Sequence, residues 1–207
     1  MTSEIYRKAR RHLSRRDPLL KQLISTIGPC TLQHNPDGFV SLVRSIVSQQ
    51  ISTKAARAIA GRLEESLGRS GITPRGILRL SDETMRAVGL SASKVRSIRD
   101  LAEKVRSKAL PMSELHAMED EDVIANLIPV RGIGRWTAEM YLIFSLGRLD
   151  VLPVDDLGLR VGVQRLYGLK DLPVKKHVTE LAEPWRPYRS VATWYFWRSL
   201  GNVPQSR

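Results

Sequence analysis

Two adjacent carboxylates, Asp155 and Asp156, have the residue type and the position in the 207-residue sequence to take part in a reaction. They follow the letters VLPV and precede LGLRVGVQRL, which is expected to be helical, so both lie near a helix N-terminus. A carboxylate is stabilised there by unpaired backbone N–H groups and the helix dipole, and it tends to remain ionised. Taken alone, the pair has two interpretations: the aspartates cap the helix, or a carboxylate is a fixed anion that takes part in a reaction.

A pair of glycines about twenty residues earlier has a spacing that suits anion binding. Gly132 and Gly134 flank Ile133, between a short apolar helix and a longer one. Glycine permits a positive φ and a close backbone approach, and the first N–H groups of the second helix have no intrahelical partner. A phosphate fits such a helix start, and Arg131 and Arg135 would add positive charge, while Ile133 can turn inward. An ordinary corner between two helices explains the glycines alone equally well.

Trp136 opens the helix that follows the glycines, and Met140 comes one turn later. An indole face attracts a cationic aromatic ring by about 1–2 kcal/mol when both are desolvated. Packing in the core is the alternative role for Trp136. Core packing is also the expected role of most aromatic residues near the C-terminus, among them Trp185, Trp194, Tyr195 and Trp197.

These candidate residues depend on helices for their positions, because the apolar periodicity is helical almost throughout and no stretch alternates like a strand. The apolar stripe of Phe39, Val43, Ile46 and Val47 predicts a helix, and the polar Gln50 at its end is expected where that helix meets a loop and solvent. A second helix is predicted to begin at the cap Ser52 or Thr53 and to end at Gly68, and a short third helix to begin at the cap Ser81. Further helices are predicted in four segments: SASKVRSIRDLAEKVRSKA, MSELHAMEDEDVIANLI (two short helices), DLGLRVGVQRLYG and YRSVATWYFWRSLG. The sequence therefore predicts an all-α fold.

The composition favours a polyanionic partner, since the formal net charge is +12 and the pI is near 10.3. The sequence contains no apolar run of about eighteen residues, so no transmembrane helix is expected. The basic N-terminal stretch lacks the apolar core of a secretory signal and is interpreted as a basic helix rather than an organelle transit peptide. Cys30 is the only cysteine, which excludes an intrachain disulfide, a cysteine-ligated zinc site and a four-cysteine iron–sulfur cluster.

The segment LIPVRGIGRWTAEMYLIF resembles the helix–hairpin–helix of the HhH-GPD superfamily of DNA glycosylases. A Gly/Pro-containing loop, LGRLDVLPV, and then the aspartate pair follow it in the order typical of that family. SIVSQQIS (45–52) and GLSASKVRSIRDLA (89–102) match further segments, and the likeness covers about residues 36 to 200. It is greatest to the DNA-3-methyladenine glycosylase II branch, which acts on alkylated bases. Arg131 departs from the pattern, since many such hairpins have proline there.

The resemblance implies an all-α fold of two helical lobes with the active-site cleft between them, acting as one catalytic unit. One lobe is expected over 36–146, with the hairpin at about 123–146, and the other over 1–35 plus 147–207. The expected partner is double-stranded DNA that contains alkylated bases, without a membrane, and the expected state is a monomer. The compartment would be the cytoplasm or nucleoid in a prokaryote or the nucleus in a eukaryote, and secretion is not expected.

The resemblance also implies a role for each carboxylate. A match without gaps from the hairpin to the aspartate makes Asp156 the catalytic residue and leaves Asp155 as a helix cap beside it. A match anchored on the letters PVD, as in the strand-cutting branch, would select Asp155 instead. A fixed carboxylate stabilises the oxocarbenium-like sugar that forms when an N-glycosidic bond breaks, and it can orient the attacking water.

The remaining implied roles concern the base and the DNA backbone. Strand-cutting members have a lysine nucleophile where this chain has Trp136, which implies hydrolysis to an abasic site without lyase activity. The base pocket is expected to contain Trp136, Tyr188 and Met140, and Gln50 is expected as the wedge that fills the gap left by a flipped base. The hairpin residues expected at the DNA backbone are Arg131, Gly132, Ile133, Gly134 and Arg135. Lys94, Arg96, Arg160 and Arg165 are further candidates for backbone contacts.

No cofactor is expected to be required, although hairpins of this family often hold a monovalent cation. Here the main-chain carbonyls of Ile128, Val130 and Ile133 would bind it. The predicted function is removal of 3-methyladenine- or 7-methylguanine-type purines in base-excision repair. The alternatives are a non-catalytic DNA- or lesion-binding module and a glycosylase for another lesion, such as hypoxanthine, uracil or an oxidised purine.

Overall fold

A computed structural model describes residues 2–201 of the chain, with side chains from Glu4 onward. Met1 and residues 202–207, the last part of the expected terminal lobe, lie outside the described residues. Within residues 2–201 every regular element is helical, with twelve α-helices and three short 3-10 helices. The all-α prediction is therefore confirmed. None of these helices combines the length and apolar character needed to cross a membrane.

The chain forms two compact units, and the first contains the residues up to His34 together with those from Leu142 onward. Its helices are α1 (Thr2–Arg16), α2 (Pro18–Ile27), α10 (Leu157–Tyr167), α11 (Lys175–Ala182) and α12 (Arg189–Ser199), with a 3-10 helix at Glu183–Trp185. Helix α12 is central, since every residue from Ser190 to Trp197 is buried. It packs against α10, α2 and α1, which explains why its sequence is apolar and aromatic around its whole circumference.

The second unit spans Asn35–Tyr141. Its helices are α3 (Gly38–Ser48), α4 (Thr53–Leu67), α5 (Pro74–Arg79), α6 (Asp82–Ala87), α7 (Ala92–Arg106), α8 (Asp120–Leu127) and the greater part of α9 (Arg135–Phe144), with 3-10 helices at Gly68–Ser70 and Leu115–Ala117. Helix α7 packs against α5, α3 and α6. Its inner residues, including Val95, Ile98 and Leu101, are almost completely buried.

The predicted helix starts are confirmed where a hydroxyl side chain was expected as cap. Ser52 Oγ accepts the N–H of Ala55 at the start of α4, and Ser81 Oγ accepts that of Thr84 at the start of α6. Gly68 ends α4 with a positive φ of 53°. The two short helices expected in MSELHAMEDEDVIANLI are one 3-10 turn and α8.

The boundary between the units lies inside α9, between Tyr141 and Leu142, whereas the sequence interpretation placed it after residue 146. The reason is local packing, because Phe144 stacks on Trp197 of α12 with ring centroids 5.8 Å apart. The last residues of α9 therefore belong to the core that surrounds α12. That the two units act together as one catalytic unit stays a prediction.

Candidate functional site

Asp156 is the N-cap of α10, and its carboxylate is fixed by two donors. Its Oδ1 accepts the backbone N–H of Leu159 at 2.6 Å and the indole N–H of Trp197 at 2.8 Å. The residue is only 7% exposed. A carboxylate held at a helix N-terminus and mostly removed from water is a preorganised anion, since it needs no rearrangement to meet a developing positive charge.

The loop that delivers Asp156 is tied to the start of α12. Asp150 accepts hydrogen bonds from the guanidinium of Arg189, with Nε–Oδ1 at 2.8 Å and Nη2–Oδ2 at 3.1 Å, and from the backbone N–H of Arg189. Next along the loop, the N–H of Val151 donates to Ser190 Oγ at 2.9 Å. The two-pronged arginine–carboxylate geometry restricts orientation as well as distance. The loop therefore enters α10 from a fixed position.

Gly158 lets the indole of Trp197 reach Asp156. A Cβ at position 158 would lie 3.1 Å from both Asp156 Oδ1 and Trp197 Cδ1, which is tighter than most real Cβ contacts. The Trp197 indole also stacks nearly parallel on Phe144. Trp197 thus has its ring held by packing and its single polar atom directed at the carboxylate.

Sequence reasoning did not connect Trp197 with Asp156, although the structure joins the two by a hydrogen bond. The spacing of Trp197 with Trp194 and Tyr195 is that of buried helix residues, and the structure does bury Trp197 almost completely. The only sequence signal was its indole N–H, since a buried Trp N–H usually requires an acceptor. The sequence did not identify Asp156, 41 positions earlier, as that acceptor.

The prediction that Asp155 caps the helix is wrong. The cap is Asp156 itself, whereas Asp155 precedes the helix, is exposed and forms an ion pair with Lys175. The physical reason is register, because α10 begins at Leu157 and only the residue directly before it can accept the N–H of Leu159. Asp155 and Asp156 therefore differ in burial and in partners despite being adjacent.

Tyr188 lies directly before α12 and is half-buried. Its ring meets the imidazole of His12, on α1, edge to face with centroids 5.4 Å apart. This contact fixes one side of the Tyr188 ring. Asp156, Trp197 and Tyr188 all belong to the first unit, and α12 connects them through its start and its buried face.

The hairpin of the second unit has the predicted form, a tight turn between α8 and α9. Ile133 is buried, as expected for a side chain that turns inward, and its N–H donates to Val130 O at 3.0 Å. The N–H of Ala138 donates to Gly134 O at 3.1 Å, so the hydrogen-bond ladder of α9 starts at Gly134. A helix start of this kind favours an anion.

The two glycines of the hairpin differ in what surrounds them. Gly132 has a φ of +79°, and a Cβ there would lie 2.7 Å from Ser97 Oγ. Gly134 has no such constraint, because a Cβ at that position would meet nothing within 4 Å. Gly132 is thus required by the fold, whereas Gly134 leaves open space at the start of α9.

The two arginines beside the turn are also unequal. The guanidinium of Arg135 pairs with Glu121 and, through Nε at 3.2 Å, with Glu139, and the hydrogen bond to Glu121 is the main reason its pKa is raised. Arg131 is exposed, and its backbone N–H donates to Asp100 Oδ2 at 2.7 Å. The charge of Arg135 is therefore offset by acids of its own hairpin.

The remaining expected pocket residues of the second unit lie on α9. Trp136 is half-buried at the first turn of the helix, whereas Met140 is 0% exposed and lies in the core. In this conformation Met140 offers no surface to a base. Gln50 follows α3, is exposed and has a positive φ of 58°, which confirms that it lies where the helix meets a loop and solvent.

Two of the basic residues expected at the DNA backbone donate within the protein. Lys94 Nζ donates to Val47 O at 2.7 Å, and burial lowers its pKa. Arg160 Nε donates to Pro173 O at 3.0 Å. The side chains of Arg96 and Arg165 are exposed.

The donor set of the hairpin suits a monovalent cation rather than a transition metal. Across residues 2–201 no three His, Cys, Asp or Glu side chains meet in a group that could hold a metal ion. Of the three carbonyls expected at the cation, Val130 O already accepts the N–H of Ile133. A carbonyl oxygen has two lone pairs, so this bond leaves one for a cation.

The hairpin and the aspartate pair both lie in the part of the chain that matches one protein family. The model of the family described as "HhH-GPD superfamily base excision DNA repair protein" matches residues 43–187. The chain is 39% identical to DNA-3-methyladenine glycosylase 1 of Schizosaccharomyces pombe over 198 residues, which cover 93% of this chain and 86% of the relative.

Two solved structures are similar over almost the whole chain. A DNA-3-methyladenine glycosidase from Bacillus halodurans is 43% identical, with a TM-score of 0.83, covering 92% of this chain and 87% of that one. The 3-methyladenine DNA glycosylase of S. pombe in complex with abasic DNA is 37% identical, with a TM-score of 0.82, covering 97% of this chain and 100% of that one.

Proposed function

Because this chain belongs to the HhH-GPD superfamily of base-excision DNA repair proteins, we propose that it is a DNA glycosylase that releases alkylated purines from DNA. Two relatives, which are 39% and 43% identical to this chain, are named as a DNA-3-methyladenine glycosylase and a DNA-3-methyladenine glycosidase. The observation that carries the proposal is the buried carboxylate of Asp156, held by the N-terminus of α10 and the Trp197 indole. The proposed reaction is hydrolysis of the N-glycosidic bond, which leaves an abasic site.

Asp156 is the catalytic residue of this proposal. A purine alkylated at N3 or N7 is cationic, so it leaves as a neutral base with the electron pair of the C1′–N bond. The sugar then carries the positive charge, and a carboxylate close to C1′ lowers the energy of that state. Water adds to C1′, and the proton it loses passes to Asp156 and then to solvent. No strong general acid is required, because the leaving group is already positively charged.

Trp136 is proposed to recognise the base. Its electron-rich face favours a cationic purine by stacking and cation–π attraction. Tryptophan has no amine that could attack C1′, so this position supports hydrolysis rather than Schiff-base formation and strand cleavage. Tyr188, whose ring meets His12 edge to face, is a second proposed aromatic contact with the base. Met140 would join the pocket only if its buried side chain became exposed.

Gln50 and the hairpin are proposed to handle the DNA itself. The exposed side chain of Gln50 would fill the gap left by the flipped nucleotide and hydrogen-bond to the unpaired base, which offsets part of the cost of unstacking. The start of α9, with Gly132, Ile133, Gly134 and the arginines beside them, would bind a phosphate through backbone N–H groups. A monovalent cation held by the carbonyls of Ile128, Val130 and Ile133 would add positive charge at that phosphate.

The proposed partner is damaged double-stranded DNA, in whichever compartment holds the genome, and the proposed working form is a monomer. Support for DNA as the partner comes from the net charge of +12 and from the related S. pombe enzyme in complex with abasic DNA. The proposed enzyme is not secreted, and the proposed chemistry requires no cofactor.

The test is a base-release assay over a panel of lesions, with the products identified by mass. Duplexes with methylated purines, hypoxanthine, uracil or an oxidised purine are incubated with the protein, and both the free base and the integrity of the strand are followed. We expect release of methylated purines and an intact abasic strand. Release of another base instead would indicate a different lesion, and binding without release would indicate a non-catalytic module. Strand cleavage by the enzyme would contradict the hydrolytic mechanism.

A further inference from the structure

The turn that carries Gln50 is hydrogen-bonded to the hairpin turn. Gln49, the C-cap of α3, donates from its side-chain Nε2 to the carbonyl oxygen of Gly132 at 2.9 Å. The two residues are 83 positions apart, and both belong to the second unit. The two DNA-handling features of this unit, the wedge turn and the hairpin turn, are therefore directly connected.

Helix α7 supports both turns from one side. Lys94, Ser97 and Asp100 are three residues apart, so they follow one face of the helix. Lys94 Nζ donates to Val47 O near the end of α3, and Asp100 Oδ2 accepts the N–H of Arg131 in the hairpin. Between them, Ser97 packs so closely on Gly132 that no Cβ would fit there. One helix face thus fixes the end of α3 and the hairpin at a set spacing.

Gln50 itself is held in a costly conformation. A residue other than glycine is strained in the left-handed region and persists there only where its surroundings impose it. On one side of Gln50 is Gln49, bonded to Gly132, and on the other is Ser52, which caps α4. The exposed side chain of Gln50 therefore leaves the protein in a direction set by these neighbours.

We infer that Gln49 is a positioning residue that ties the wedge to the hairpin. When the hairpin binds a backbone phosphate, the Gln49–Gly132 bond sets the place at which Gln50 enters the duplex. Gln49 does not touch the base or the sugar, and its effect is confined to opening the duplex. This inference rests on the proposed function, because it assumes that the enzyme flips a base before cleavage.

The experiment compares the same lesion in two contexts. One oligonucleotide carries a single 7-methylguanine in a fully paired duplex, and the other carries it as a one-base bulge, where no pairing has to be broken. Single-turnover release is measured for wild type, Gln49→Leu and Gln49→Glu. Both variants keep a side chain of similar size, but neither can donate to Gly132 O. Gln22→Leu, an exposed position on α2, is the matched control.

The expected result is a loss confined to the paired substrate. The loss of one neutral hydrogen bond predicts about a 3- to 10-fold slower release from the paired duplex for Gln49→Leu, and a larger loss for Gln49→Glu, whose carboxylate repels the carbonyl. Release from the bulge should stay within about 2-fold of wild type, a split that a general loss of folding would not produce. Gln50→Ala should show the same split.

Two outcomes would overturn the inference. Equal losses on both substrates would mean that Gln49 only stabilises the fold, and no loss on either would mean that its bond has no part in opening the duplex. Failure of wild type to release the base from either substrate would instead contradict the proposed function, on which the inference depends. The wild-type reaction therefore separates the two failures.

Discussion

The carboxylate of Asp156 differs from an ordinary helix cap by its second donor. A capping aspartate needs only the backbone N–H of its own helix, which Leu159 supplies. The indole N–H of Trp197 adds a bond from another helix, on the same oxygen. That bond anchors the same oxygen from a second side, and a carboxylate held in place is what stabilisation of a developing sugar cation requires.

Trp197→Phe should slow base release while leaving DNA binding nearly unchanged. The change keeps an aromatic ring against Phe144 but removes the donor to Asp156. A hydrogen bond to a charged group contributes about 1.5–3 kcal/mol, so we expect about a 10- to 100-fold slower single-turnover rate. Trp194→Phe, on the same helix and also buried, is the control and should release base at close to the wild-type rate. Equal effects of the two changes would contradict a role for the indole N–H.

We propose that the hairpin needs one glycine for its own fold and the other for a bound phosphate. Gly132 meets Ser97 and needs a positive φ, whereas Gly134 faces open space before α9. The first requirement comes from the protein itself. The open space at Gly134 would let a phosphate approach the helix start closely, as the proposed function requires.

Alanine at the two hairpin positions should therefore have different effects, one on the stability of the fold and the other on DNA binding. Gly132→Ala should lower the free energy of unfolding by at least about 1–2 kcal/mol, because of its left-handed backbone and the contact with Ser97. Gly134→Ala should leave that free energy unchanged or slightly higher, but weaken duplex binding at every salt concentration. Denaturant titration and binding isotherms at several salt concentrations measure both. Normal DNA affinity for Gly134→Ala would argue against phosphate binding at this turn.

Local signals in the sequence were enough to predict the helices. Hydrophobic periodicity predicted an all-α chain, and the hydroxyl groups of Ser52 and Ser81 correctly predicted two helix starts. The inward turn of Ile133 also followed from the glycines beside it. Each of these features depends on residues a few positions apart, for which spacing is direct evidence.

Contacts between distant residues could not be predicted in the same way. The bonds from Trp197 to Asp156 and from Gln49 to Gly132 join residues 41 and 83 positions apart, and no periodicity relates them. The choice between Asp155 and Asp156 as cap depended on where α10 begins, and a difference of one residue reversed their environments. The pairing of Arg135 with Glu121 likewise required the folded hairpin.

At the scale of the whole molecule, the net charge of +12 predicts that the proposed DNA binding is mainly electrostatic. Each neutralised phosphate releases condensed counterions, so the logarithm of the binding constant should fall linearly with the logarithm of salt concentration, with a slope of about −0.9 per contact. Undamaged and damaged duplexes should give similar slopes, because the charge contacts do not depend on the lesion. Titrations between 50 and 200 mM salt test this, and affinity independent of salt would contradict it.

The stability of the folded molecule should depend on pH through His34, near the end of the first unit's N-terminal segment. Its ring nitrogen Nε2 lies 2.6 Å from Tyr6 Oη, and burial lowers its pKa below the ordinary 6.5. The unfolded chain therefore binds a proton more readily, and stability should decrease as pH falls below about 6.5 towards the folded-state pKa. Urea unfolding at pH 7.5 and 5.5 measures this decrease, which should be smaller in His34→Gln. An identical decrease in the variant would exclude His34 as its source.

The most direct test of the account is the rate of base release by Asp156→Asn from a duplex that contains one 7-methylguanine. Asparagine keeps an oxygen that can cap α10, so the variant should fold and bind the duplex with nearly wild-type affinity. We expect its single-turnover release of 7-methylguanine to be abolished, while Asp155→Asn, which loses only an exposed ion pair with Lys175, releases the base at close to the wild-type rate. Normal release by Asp156→Asn, or loss of release by Asp155→Asn instead, would contradict the assignment of Asp156 as the catalytic carboxylate.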